Sequence, residues 1–115
     1  MATSTREIPR EEWRGYFDSF SRELDELVAT LEVSGADVGA QVEAETARLA
    51  GITYDNKDDI LVIGLDAIGG TSEELERVID KPQTIYLETE DDGVMNFDIE
   101  DAEGHKTLLR LTPAS

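Results

Sequence analysis

The sequence contains no cysteine and a single histidine, His105. Without cysteine there is no disulfide framework, no thiolate nucleophile and no thiolate metal site. One histidine leaves little material for a Ser-His-Asp triad or a poly-histidine metal centre. These absences argue against several catalytic classes. We therefore expect His105 to be an exposed residue of a hairpin turn.

Long apolar runs are also missing. The longest, Ile60–Leu65, has six residues, whereas a membrane-spanning helix needs about 20. The first residues, MATSTREIPREEW, lack the apolar segment of a signal peptide. These features, with the absence of cysteine, predict a soluble cytoplasmic protein without a membrane partner.

Positive charge is scarce. Ten lysines and arginines face 27 acidic residues, which gives a formal net charge of −17. Such a surface repels nucleic acid phosphates and anionic membranes, so we expect no direct nucleic acid partner. Three explanations of the acidity compete: adaptation to a cytoplasm of high salt, recognition of a basic partner by charge mimicry, and ordinary solubility. The acids are spread along the whole chain, which favours salt adaptation.

The clearest local element is an amphipathic helix predicted over Pro9–Leu24. Its aromatic residues recur at the three- and four-residue steps of one helical face. One hypothesis makes this face a cover over the apolar side of a sheet. The other makes it an interaction face for a second subunit or a protein partner. We favour the cover. The candidate interaction face consists of Trp13, Tyr16, Phe17, Phe20 and Tyr86.

After this helix the sequence alternates with the period of two that is typical of strands. Ile60–Leu65 lacks the alternation and is predicted to be the most buried central strand. Residues 72–81 fit a capped helical turn or a strand before Pro82, and we favour a short turn followed by a strand. The other predicted strands are 27–33, 38–45, 84–89, 95–100 and 106–111, and residues 49–54 are expected to continue the edge formed by 38–45.

These elements predict a single α+β domain over residues 1–115, with frayed ends at 1–7 and 113–115. The N-terminal amphipathic helix would pack on a curved, largely antiparallel sheet of about six strands, small and barrel-like.

Two acidic or glycine-rich segments superficially resemble ligand-binding loops. A calcium loop starting at Asp55 would have Lys57 at its third position and Ile60 at its sixth, where an oxygen ligand and a glycine are needed. The segment Gly64–Thr71 lacks the lysine of a phosphate-binding loop. We therefore predict no metal, no cofactor and no catalytic residue.

A family resemblance rests on four segments. They are Thr5–Trp13 (TREIPREEW), Asp18–Glu23 (DSFSRE), Thr30–Ala44 (TLEVSGADVGAQVEA) and the pattern Gly104-x-x-Thr-Leu-Leu near the C-terminus. Through them the chain resembles an uncharacterised prokaryotic domain-of-unknown-function family. The resemblance implies a small stand-alone domain and brings no activity, cofactor or catalytic residue.

The function that best fits these observations is a non-enzymatic interaction or structural module with an acidic, salt-adapted surface, acting as a homodimer or with a protein partner. Two alternatives remain. One is charge mimicry toward a basic partner, and the other is a small-ligand carrier or carboxylate-based hydrolase that uses a barrel-like interior.

Overall fold

The computed structural model describes residues 4–23, 26–35, 39–67 and 74–113. Within these ranges one short helix is followed by a series of strands. The helical segment consists of a 3-10 turn, Arg10–Glu12, and the α-helix α1, Trp13–Arg22. The strands are β1 (Ser4–Glu7), β2 (Leu27–Gly35), β3 (Gly39–Asp55), β4 (Ile60–Ala67), β5 (Glu74–Asp80), β6 (Pro82–Thr89), β7 (Met95–Asp101) and β8 (Lys106–Pro113).

The strands form one antiparallel sheet in the order β1-β6-β7-β8-β2-β3-β4-β5. This confirms the α+β class, although the described part of the chain has eight strands rather than about six. The sheet ends in two edges, β1 and β5, so it is open and the barrel-like prediction is wrong. Lys81, with φ of 53°, is the single residue between β5 and β6. The two consecutive strands do not pair with each other: β5 pairs with β4, and β6 pairs with β1 and β7.

The alternation predicted for β6, β7 and β8 is confirmed. We call the side of the sheet that carries α1 the inner face and the opposite side the outer face. In the middle of these strands every second side chain is buried on the inner face, the face on which the helix packs. These inner residues are Ile85, Leu87, Phe97, Ile99, Thr107, Leu109 and Leu111.

β4 differs from its predicted central, fully buried position. It lies second from the β5 edge, and its burial alternates: Leu61 and Ile63 are buried while Val62 is half-buried. The apolar run ILVIGL is therefore a strand that buries one face, through Leu61, Ile63 and Leu65, and leaves the other half-buried. The strand predicted before Pro82 is confirmed as β5, and the turn predicted before it falls outside the described residues.

The expected continuation of the strand 38–45 through 49–54 is confirmed, since the described residues of both segments belong to one long strand, β3 (Gly39–Asp55). Its first part pairs with β2 as far as Arg48, and its last part pairs with β4 from Ala47 onwards. A register shift between Leu49 and Gly51 marks an irregularity near the change of partner. β3 thus bridges two parts of the sheet, and its last part extends beyond β2.

The helix is shorter than the predicted Pro9–Leu24. Pro9 is extended, with φ of −60° and ψ of 145°, and the amide of Glu12 donates to the carbonyl of Pro9. This three-residue hydrogen bond tightens the first turn to a 3-10 turn, so that the α-helix begins at Trp13. Glu11 and Glu12 complement the positive end of the helix. Leu24 lies outside the described residues.

The described residues of the two segments predicted to be frayed are paired in the sheet. Ser4–Glu7, expected to be frayed, pairs with β6 from Thr89 to Tyr86. Pro113 pairs with Leu27 at the end of β8. In both segments pairing with a neighbouring strand supplies the order that the polar sequence does not indicate.

Candidate functional site

The most unusual part of the outer face is a row of five side chains across neighbouring strands. Tyr86 of β6 lies opposite Asp98 of β7, which lies opposite Leu108 of β8. Glu7 of β1 extends the row beyond Tyr86, and Glu32 of β2 extends it beyond Leu108. Directly opposite residues share a face of the sheet. The row therefore alternates acidic and apolar side chains, and we call it the Glu7–Glu32 row.

The apolar members of this row are unusually exposed. Tyr86 is 42% exposed and Leu108 is 39% exposed, although both are large side chains held in the middle of a sheet. Both strands, β6 and β8, are hydrogen-bonded to a neighbouring strand on each side, so their backbones hold Tyr86 and Leu108 in fixed positions. Burying such side chains against a partner is favourable, since it removes apolar surface from water.

A second row runs parallel to the first and consists of a polar network. The Asn96 side-chain amide donates to Glu88 Oε1 at 3.3 Å and to Glu90 Oε2 at 3.0 Å. Arg110 Nη1 donates to Asn96 Oδ1 at 3.2 Å and to Glu90 Oε2 at 3.4 Å. The network holds these four side chains in fixed positions. The three carboxylates of the Glu7–Glu32 row are not among its acceptors.

The middle three members of the first row, with Glu88, Asn96 and Arg110 of the second, border a groove of about 400 Å³ on the outer face. Its floor and walls come from β1, β6, β7 and β8, so it crosses the strands instead of following one of them. The lining residues are Thr5, Tyr86, Glu88, Asn96, Asp98, Leu108, Leu109 and Arg110. We call this the outer-face groove. It offers an apolar surface beside carboxylates that can accept hydrogen bonds.

The predicted interaction face is not one surface. Trp13 is 1% exposed and Phe17 is fully buried, both against the chain's own sheet. Tyr16 and Phe20 are partly buried and pack on Phe97 of β7, with ring centroids 6.4 and 5.8 Å from its ring. The helix therefore acts as the cover that the sequence favoured.

Tyr86, the fifth predicted residue, lies away from the helix. Its neighbours in the strand, Ile85 and Leu87, are buried on the inner face, and Tyr86 points to the outer face. Of the five residues it is the one that borders the outer-face groove.

A second polar cluster joins the helix entry to the sheet. Arg10 Nη1 donates to Asp59 Oδ1 at 3.1 Å and to the Tyr54 hydroxyl at 3.2 Å, and Arg10 Nη2 donates to the carbonyl of Pro82 at 2.7 Å. The Tyr54 hydroxyl donates to Asp59 Oδ1 at 2.6 Å. The Arg10 guanidinium also lies 4.5 Å from the centre of the Trp13 ring. We call this set the Arg10 clasp.

The Arg10 clasp shifts two pKa values in opposite directions. The hydrogen bond from the Tyr54 hydroxyl, aided by Arg10, lowers the pKa of Asp59 below its ordinary value. Burial and the neighbouring Asp59 carboxylate raise the pKa of Tyr54 above its ordinary value. Both shifts favour a charged carboxylate beside a neutral phenol. At neutral pH these hydrogen bonds therefore connect the start of the helix to the sheet.

The acidic turns use their carboxylates locally. Asp55 Oδ1 accepts hydrogen bonds from the amides of Lys57 and Asp58, and Asp92 Oδ1 accepts one from the amide of Val94. These bonds fix the turns themselves. Within the residues that the structure describes, no three histidine, aspartate or glutamate side chains come together as a metal site.

His105 occupies the predicted hairpin turn, but its side chain is only 21% exposed instead of fully solvated. Its Nδ1 lies 3.5 Å from Asp101 Oδ2 and 3.7 Å from Glu103 Oε2. Both carboxylates precede His105 in the chain, so the ring lies back over the end of β7 and the turn that follows it.

Leu108, Asp98, Asn96 and Arg110 were not singled out in the sequence, yet one signal was present. In the segment TLLRL of β8, Leu108 occupies the position that alternation assigns to the solvent side. The carboxylate and amide neighbours give no such signal, because their meaning depends on which strands pair and in which register. The same holds for the Arg10 clasp, whose members Arg10 and Asp59 are separated by 49 residues.

No helix in the described part of the chain is both long and apolar enough to cross a membrane.

Comparisons with known proteins agree with the resemblance seen in the sequence. A relative from Aquifex aeolicus (strain VF5), described as an uncharacterized protein, is 37% identical over 111 residues, which cover 96% of this chain and 95% of the relative. The crystal structure of the Bacillus subtilis YojF protein covers 97% of this chain and 98% of its own, with a TM-score of 0.53 and 12% identity. At that identity the likeness shows the fold alone.

The family model of DUF5335, described as a family of unknown function, matches residues 4–115. With this match over nearly the whole length, and the Aquifex relative beside it, the chain belongs to the DUF5335 family of unknown function.

Proposed function

We propose that this protein is a non-catalytic interaction module that binds a protein partner through the outer-face groove. The observation that carries the proposal is the pair Tyr86 and Leu108, two large apolar side chains exposed side by side across Asp98. Interfaces are centred on such anchors, particularly tyrosine, with polar groups at the rim. The Asn96 network supplies that rim along one side.

A polypeptide is a better occupant than a nucleic acid or a membrane. The groove is lined by Glu88 and Asp98 against the single cation Arg110, within a chain of net charge −17. Phosphates would be repelled by this surface. The alternative of a ligand carrier or hydrolase depended on an open interior. Phe97, Trp13 and Phe17 lie in the core between helix and sheet, which counts against that alternative.

The proposal can be tested with a random-peptide display library selected against the whole protein. We expect selected peptides to shift the amide NMR signals around Tyr86, Asp98 and Leu108. Leu108→Ser should weaken these peptides by about tenfold or more, because an interface anchor is removed. Val78→Ser is the matched control, because Val78 is also exposed (45%) but lies on β5, away from the groove.

Circular dichroism of both variants would show that they are folded. Peptides that bind both variants as tightly as the unchanged protein, or that shift signals elsewhere, would overturn the proposal.

The proposal extends to the setting of the protein. We propose a cytoplasmic protein with a salt-adapted surface, because 27 acidic residues face only three lysines among ten basic residues. Salt screens repulsion among like charges, so we expect the melting temperature to rise when sodium chloride is increased from 0.1 to 2 M. A melting temperature that stays constant or falls would contradict salt adaptation. It would not affect the proposal that the groove binds a partner.

The partner can be a second copy of this chain or a different protein. Light scattering over a range of concentrations separates the two. If the protein is a monomer at every concentration, the homodimer is excluded and the partner is a different protein.

A further inference from the structure

We propose that the outer-face groove binds an extended, proline-containing segment of another protein that carries a lysine or arginine at every third position. This rests on the proposed function, since it names the partner of the same groove. Its basis is the spacing of charge and apolar surface along the Glu7–Glu32 row.

The row presents its carboxylates at a regular interval. Glu7, Asp98 and Glu32 lie on every second strand, and Tyr86 and Leu108 occupy the strands between them. Neighbouring strands are about 4.8 Å apart, so successive carboxylates are roughly 10 Å apart along the row. Asp98 lies in the groove between Tyr86 and Leu108, whereas Glu7 and Glu32 are the ends of the row, outside the groove lining. A ligand that follows the row beyond the groove therefore meets a carboxylate, an apolar side chain and a carboxylate in turn.

This interval selects among the backbone conformations of a partner. A polyproline II segment has three residues per turn and rises about 3.1 Å per residue, so every third side chain returns to the same side after about 9 Å. A β-strand returns a side chain to the same side after only about 7 Å. A polyproline II segment with lysine or arginine at every third position therefore matches the carboxylates.

The apolar members of the row suit the residues between the cations. Proline-rich segments bind in grooves lined by aromatic side chains, and their stiff backbone loses little conformational entropy on binding. Tyr86 offers a ring face and Leu108 an aliphatic surface, and both are exposed. Lysine or arginine beside the Tyr86 ring would also gain a cation–π contribution.

Charge argues against a second copy of this chain in the groove. Each copy would present the carboxylates of Glu7, Asp98 and Glu32 to the same surface of the other. Like charges facing each other across an interface are unfavourable, whereas a basic segment supplies the opposite sign. The partner is therefore a different polypeptide.

The test uses three labelled synthetic peptides of equal length and equal net charge. The first is proline-rich with lysine at every third position, the second has lysine at every second position, and the third is helical with lysines seven residues apart. Fluorescence anisotropy with the whole protein gives their affinities at 50 and 300 mM salt. We expect the first peptide to bind at least about fivefold more tightly than the other two, and to weaken at the higher salt concentration.

Two variants with the same change in charge complete the test. Asp98→Asn removes the central carboxylate of the row and should weaken the first peptide about fivefold, the upper range for an exposed ion pair. Asp18→Asn removes an exposed carboxylate from α1 and should leave the affinity unchanged. Equal affinity for all three peptides, a preference for the second or third, or equal loss in both variants would overturn the inference.

The two proposals fail in different ways. If library-selected peptides bind at Tyr86 and Leu108 but contain no lysine or arginine, the groove remains the binding site and only the basic partner is wrong. If no peptide binds at the groove, both proposals are wrong.

Discussion

The inner and outer faces of β6, β7 and β8 are built from alternate residues of the same strands, yet they differ in almost every property. On the inner face Phe97 is fully buried, and the centre of its ring lies 5.7 Å from the centre of the Phe17 ring of the helix. On the outer face, the next residue along the strand, Asp98, lies between two exposed apolar side chains. Alternation along one strand thus separates the residues that stabilise the fold from those available for binding.

The contrast shows why a large apolar residue must be judged by its position and not by its type. Phe97 and Leu108 are both large apolar residues on neighbouring strands, but alternation assigns Phe97 to the buried side and Leu108 to the solvent side. The helix covers only the inner face, so Phe97 is packed and Leu108 is left in contact with water. An exposed apolar residue that contributes little to folding is the kind of residue that a binding function would explain.

The largest expected effect comes from truncating one residue on each face. Phe97→Ala should lower the free energy of unfolding by about 3–5 kcal/mol, because it removes the ring on which Tyr16, Phe17 and Phe20 pack. Leu108→Ala should lower it by less than about 1 kcal/mol, because the side chain is already exposed. Urea unfolding of both variants measures the difference. Comparable losses would contradict the separation of roles between the faces.

A smaller effect should come from the polar contact between the helix and β3. Ser21 Oγ accepts a hydrogen bond from the Ile52 amide at 2.9 Å and donates one to the Ile52 carbonyl at 2.8 Å. These contacts lie in the last part of β3, beyond the residues that pair with β2. Ser21→Ala should cost about 1–3 kcal/mol, because it leaves partly buried backbone groups without these bonds.

Ser19→Ala is the matched control for this contact, because Ser19 is exposed on the same helix. It should change stability by less than about 0.5 kcal/mol. Equal effects of the two serine variants would show that the hydrogen bonds to Ile52 do not hold the helix on the inner face.

The smallest expected effect is a dependence of stability on pH, and it comes from Asp59 and Tyr54 of the Arg10 clasp. The folded-state pKa of Asp59 is lowered, so its contribution to stability is present above the unfolded pKa of about 3.9 and is lost as pH falls through the folded value. The folded-state pKa of Tyr54 is raised, so its contribution is present below about pH 10 and is lost as pH rises further.

Unfolding measured by urea at several pH values should therefore show a decline at both ends. Asp59→Asn should reduce the decline on the acid side, and Tyr54→Phe should reduce the decline on the alkaline side. A pH profile identical in both variants and the unchanged protein would mean that the Arg10 clasp contributes nothing through these two groups.

The sequence predicted correctly the helices and strands that have a regular pattern of apolar residues within their own segment. The alternation in residues 84–111 identified β6, β7 and β8 and their buried sides, and the aromatic spacing identified the helix. It was insufficient where order comes from distant pairing. β1 has the polar sequence STRE and is a strand only because it pairs with β6.

Prediction of the groove would have required the strand pairing and register as well as the positions of the strands. Glu7, Tyr86, Asp98, Leu108 and Glu32 come from five strands, and only the register places them in one row. A shift of one residue in any pairing would send one strand's side chain to the other face. Tyr86 was found because it is aromatic. Asp98 could not be distinguished from the other acidic residues.

The Arg10 clasp has a consequence for the order in which the chain folds. Arg10 bonds to residues 44, 49 and 72 positions further along the chain. The Arg10 clasp therefore cannot be completed until Pro82, at the start of β6, has been synthesised. Contacts of such high sequence separation are costly to close and slow folding. We expect Arg10→Ala to accelerate unfolding with little change in the folding rate, as contacts formed after the transition state do.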